Sequence, residues 1–217
     1  MGPSAETAKS RATQERSIDT QARILDSAIT ALVQHGYSGA TTLRIQEIAE
    51  VSRGRLLHHY PSRDDLLVAA VSHLTEARMR DLADDVAWPA DPVARIEVAI
   101  ARMWETFQQE YFWASSELWL AARANPRLKE ALEPHERRLS AFIVQKVGSM
   151  FGDRLVAASS YVTVRDVLIS SMRGVALSYA FRPRDAELDP HLAEWRAIAR
   201  ALLLPVDDRH SADGPSS

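Results

Sequence analysis

Apolar residues recur at intervals of three and four along almost the whole chain, and that period restricts the fold to helices. Ile24, Leu25, Ala28, Ile29, Leu32 and Val33 share one helical face. The run closes at His35-Gly36, where glycine can take the backbone of a helix C-cap. The period returns in Leu66, Leu67, Ala70, Val71 and Leu74, then in Ile96, Ala99, Ile100, Met103, Trp104 and Phe107, and again from Leu128 to Met150. Most of the ten prolines stand where these patterns stop, as in Trp88 to Pro92, Asn125-Pro126 and Pro183. The expectation is an all-α protein of about nine helices.

Composition narrows the chemistry. With 46% hydrophobic and 25% charged residues the chain has the mix of a globular protein. Having no cysteine, it builds no disulfide, no thiolate zinc site and no thiol nucleophile. Residues 2–19 are polar and contain no leader-like apolar stretch, and no apolar run approaches the roughly 18 residues of a membrane span, so a cytoplasmic location is expected. The net charge is -3, unevenly spread: residues 1–63 hold eight Lys and Arg against six acids, an excess of positive charge that the rest of the chain reverses.

The segment Thr41 to Leu66 reads as two short helices and the start of a third. Thr41 or Thr42 can cap one, Ser52 can cap the next, Pro61 stops it, and Ser62 starts a longer helix with Asp64 and Asp65 in its first turn. Two short helices across a tight turn form a helix-turn-helix. The second would expose Ser52, Arg53, Gly54, Arg55, His58 and His59, with Leu56 or Leu57 facing inward. Such a surface suits the DNA major groove, roughly 12 Å wide, and Thr41, Thr42 and Arg44 could hold a phosphate. The same spacing also fits a plain solvated surface carrying four arginines.

The stretch from about Thr20 to Leu74 resembles the DNA-binding domain of the TetR family. The resemblance rests on Gly36-Tyr37, Thr41, Ile45, Ala49, Val51-Ser52, Gly54, Leu57 to Tyr60, Ser62-Arg63 and Leu66. Glu50 departs from it, standing in the turn where the family usually has glycine; Gln46 replaces a small residue, and Arg63 replaces a common lysine. Either Glu50 adopts left-handed backbone or the turn differs. The resemblance implies a three-helix DNA-binding domain over residues 17–62, a helical domain for ligand binding and dimerisation over residues 63–204, and tails at 1–16 and 205–217. It also implies DNA contacts from Thr41, Thr42, Arg44, Ser52, Arg53, Gly54, Arg55, His58, His59, Tyr60 and Arg63, and repression as the expected activity.

Behind the head, Trp104, Phe107, Tyr111, Trp113, Glu117 and Arg123 form a candidate site for a small, mostly apolar effector, since a few polar groups among aromatics make such pockets; the same cluster also reads as plain core. Leu168, Met172, Val175 and Tyr179 on one helix, with Trp195 and Leu202 on the next, form the candidate surface of a homodimer on a palindromic operator. No Glu-x-x-His, His-Glu-x-x-His or glycine-rich phosphate loop occurs, so no enzyme, cofactor or metal is expected. The alternatives are a constitutive DNA-binding protein without a ligand and an all-helical enzyme.

Overall fold

A computed structural model describes residues 5–81 and 87–205. Among them are nine α-helices and no strand: α1 Ala5–Gly39, α2 Thr42–Ile48, α3 Arg53–His59, α4 Arg63–Asp81, α5 Pro92–Thr106, α6 Glu110–Ala122, α7 Pro126–Val156, α8 Tyr161–Ser178 and α9 His191–Leu203, with a single 3-10 turn at Ala186–Leu188. Residues 5–16, expected to be part of a tail, continue α1, whereas residues 1–4 and 206–217 lie outside the described residues.

The caps lie where the sequence places them. Thr41 Oγ1 accepts from the Arg44 amide at 3.2 Å and Ser52 Oγ from the Arg55 amide at 3.3 Å, each satisfying a donor that a helix start leaves unpaired. Ser62 Oγ takes the Asp65 amide and donates back to its carboxylate, a reciprocal lock on the first turn of α4. Gly36 has φ 65° and breaks α1 near its end; Gly152, with φ 75°, does the same in α7.

The helices form two packed units. The first combines α1 to α4 with residues 113–138, so that Ala114, Leu118, Leu128 and Leu132 join Ile24, Ala28, Leu32, Ile45, Leu56, Leu66 and Leu67 in one core. The second holds residues 87–112 and 139–205. In it, α9 packs on both α5 and α8. Ile96, Ile100, Val164, Leu168, Met172 and Trp195 are buried there, and Glu97 of α5 pairs with Arg196 and Arg200 of α9 at 2.9 and 2.8 Å. No helix among the described residues is long and apolar enough to cross a membrane.

Candidate nucleic-acid interface

Helix α3 buries Leu56 and the following Tyr60 against the head core. Helix α2 anchors the same core through Ile45 and Ala49. The turn between them is closed by Glu50, which adopts left-handed backbone with a φ of 52°, and by the Val51 amide bonding to the Gln46 carbonyl at 3.1 Å. With its inner side fixed, α3 leaves Ser52, Arg53, Gly54, Arg55, Leu57 and His58 exposed, and His59 half-buried.

The remaining candidates for DNA contact divide. Thr41 is exposed and Thr42 half-buried. Arg44 donates from Nη1 to the Gly39 carbonyl at 2.7 Å and so also ties down the loop before α2. Arg63 turns inward: it donates from Nη2 to the Tyr37 carbonyl, and its guanidinium lies 4.1 Å from the Tyr37 ring centroid. Tyr60 is 7% exposed and its hydroxyl accepts from Gln21 Nε2 at 3.2 Å, so most of this DNA-contact candidate packs in the core and holds α3.

Tyr37 is the junction of the first unit. Its hydroxyl donates to Asp64 Oδ1 at 2.7 Å and accepts from Asn125 Nδ2 at 3.0 Å, while Asn125 also donates to Asp64 Oδ2 at 3.1 Å. The Tyr37 amide donates to Glu117 Oε2 at 2.9 Å. A Cβ on Gly36 would sit 3.0 Å from that carboxylate oxygen, so glycine serves there for close approach as well as for its φ. Burial, then the bond to Asp64, raises the Tyr37 phenol above its ordinary range. The sequence reading missed Asn125, taking it only as a break; its Oδ1 also accepts from the Leu128 amide at 3.2 Å, the N-cap signal that an Asn before a proline carries.

The aromatic candidates fall into separate settings. Trp104 and Phe107 belong to the second unit, where Trp104 Nε1 donates to the Ala186 carbonyl at 2.7 Å and its ring meets Trp195, Tyr179 and Phe107 with centroids 5.0, 5.8 and 6.3 Å away. Tyr111 is half-buried in that unit. Trp113, Glu117 and Arg123 belong to the first unit, with Arg123 exposed and Glu117 engaged by Tyr37.

The candidate dimer residues also divide. Leu168 and Met172 are 0% exposed and Trp195 2%, because α8 turns this stripe toward α9 inside its own unit. Ser171 accepts from Trp195 Nε1 at 3.0 Å. Val175 is half-buried, and Tyr179 donates to the buried Asp189, which also takes the His191 amide at 2.9 Å. Burial alone would raise the Asp189 carboxyl, but the bonds from Tyr179 and His191 outweigh it and hold the group below the usual range. Leu202 is exposed, as are Val167 and Ile198 on the outer faces of the same helices.

Comparison with known proteins places this geometry. Residues 24–70 match the family of bacterial regulatory proteins described as the tetR family. The chain is 28% identical over 177 residues to the HTH-type transcriptional regulator CymR of Pseudomonas putida, covering 78% of this chain and 83% of that protein. It is 36% identical over 67 residues to the transcriptional repressor AcnR of Corynebacterium jeikeium, covering 31% of this chain and 35% of that one. The solved structure of the multidrug binding protein EbrR, complexed with ethidium, overlays with a TM-score of 0.59 at 26% identity, covering 84% of this chain and 97% of that one. Residues 24–70 thus resemble the DNA-binding head of tetR-family regulators, and the relatives matched over most of the chain are transcriptional regulators.

Proposed function

We propose that the protein is a sequence-specific repressor that binds a palindromic operator as a homodimer and is released by a small, mostly apolar effector. The observation that carries the DNA-reading half is the division of α3: Leu56 is buried while Arg53, Gly54, Arg55 and His58 stand exposed behind a capped N-terminus. An exposed helix carrying two arginines fits the major groove, where arginine pairs with guanine O6 and N7. Thr41 and Thr42, at the start of α2, are suited to positioning on phosphate.

The dimer reading is supported by the exposed Val167, Ile198 and Leu202, and by Gly174, around which the space for a Cβ is open. The effector reading is supported by the aromatic concentration around Trp104, Phe107 and Tyr111, and by the ethidium bound to the EbrR relative. A pool of random duplexes at moderate salt should yield one preferred sequence with two related half-sites. A pool that yields none would remove the assignment. Planar aromatic compounds that bind, quench tryptophan emission and lower operator affinity would establish the sensor; compounds that bind without altering operator affinity would leave a constitutive DNA-binding protein.

A further inference from the structure

Two adjacent leucines on α3 have opposite fates. Leu56 is 1% exposed and Leu57 41%. At about 100° per residue, Gly54 and His58 project roughly 160° away from Leu56, with Arg55 and Leu57 flanking them on either side. Leu57 lies one turn on from both Arg53 and Gly54, so these three occupy one edge of the outer surface. Nothing lies within 4 Å of where a Gly54 Cβ would be, so the backbone there is bare and admits close approach. Leu57 is thus a partly exposed apolar branch on the same edge as Arg53 and Gly54, beside His58 and across the outer face from Arg55.

Seated in a major groove, that branch meets base edges of limited chemistry. Guanine and adenine present N7 with an oxygen or amino group, cytosine an amino group, and thymine a carbonyl oxygen and a 5-methyl group. Leucine placed against a donor or acceptor strips water from it and returns no hydrogen bond. Against the thymine methyl it loses nothing and removes apolar surface from water. We infer that Leu57 is a specificity-determining residue that selects thymine at one position of each half-site by contact with its 5-methyl group. This rests on the reading of α3 as the groove helix, and adds an apolar selection to the hydrogen-bonding one made by the arginines.

The test uses the full-length protein and a duplex that it selects from a random pool. Each thymine of that duplex is replaced singly by deoxyuridine, which deletes the methyl and leaves every hydrogen-bonding group in place. In each half-site one replacement should weaken wild-type binding about fourfold, the equivalent of roughly 0.8 kcal/mol for one methyl-sized contact. Leu57→Ala should bind the thymine duplex weaker by a similar factor and be indifferent to that replacement. If no thymine responds in the wild type, or if Leu57→Ala still loses the same factor on replacement, the inference is overturned. The wild-type scan decides alone should the variant misfold. A pool that returns no preferred duplex overturns the groove reading itself, a result distinct from a selected duplex indifferent to its methyl groups.

Discussion

Glu50 carries the sharpest local tension in the head. An L residue with φ near 52° brings its Cβ toward its own carbonyl, at a penalty of roughly 1 to 2 kcal/mol that glycine escapes. The side chain is exposed, so packing does not offset the strain. Glu50→Gly is therefore expected to be more stable than Glu50→Ala by about 1 kcal/mol in urea unfolding; equal midpoints would mean that the turn relaxes at no penalty. His135 makes a second residue-level prediction. It is 5% exposed, its Nδ1 lies 2.9 Å from Ser72 Oγ, and its Nε2 is buried without a protein partner. Burial first, then Arg138, lowers its pKa, against a weaker opposing pull from Glu76. The folded protein thus resists a proton that the unfolded chain accepts near the ordinary 6.5, so His135 should contribute stability above that value which is lost as pH falls below it toward the depressed folded value. His135→Gln should lose less stability than the wild type between pH 7.5 and 5.5; parallel losses would show that the imidazole is not held neutral.

At the scale of elements, the sequence was legible wherever a local signal sufficed. Thr41, Ser52 and Gly36 mark boundaries because caps are set by residues adjacent to them. The choice between Leu56 and Leu57, the inward turn of Arg63 and the recruitment of Asn125 were not legible, since each depends on a partner at least 26 positions away in the chain or on the pose of a whole helix. The stripe on α8 shows the same limit: periodicity gave Leu168 and Met172 as one face, but a helix face does not state which helix covers it. The structure gives that cover to α9 of the same chain. Met172→Asp should therefore unfold the second unit, burying a charge without a partner, at a loss of several kcal/mol. Ile198→Asp, on a residue 39% exposed, should leave the thermal midpoint nearly unchanged and convert dimer to monomer in sedimentation at micromolar concentration. A folded Ile198→Asp that stays dimeric would place the partner on another surface.

For the whole molecule the question is how a chain of net charge -3 grips a polyanion. The excess of Lys and Arg over acids is confined to the first 63 residues, and α3 sets Arg53 and Arg55 on the exposed side of a fixed helix. Arg63 is held against Tyr37 by one N–H and its ring face and keeps its charge. A single head therefore has few cations to place on phosphate, and in the proposed homodimer the affinity would come from two heads acting together. Joining them makes the second engagement intramolecular and raises affinity by about 10² to 10⁴ without any new contact. The salt dependence counts the same pairing independently, because log K falls against log salt with a slope near -0.9 for each phosphate neutralised. On the selected palindrome, a monomeric Ile198→Asp should thus bind far more weakly than the wild type, and with about half its slope. Direct measurement of Kd at four or five salt concentrations separates the cases: half the slope means that one head remains on the DNA, while an unchanged slope with unchanged affinity would mean that the heads never acted as a pair.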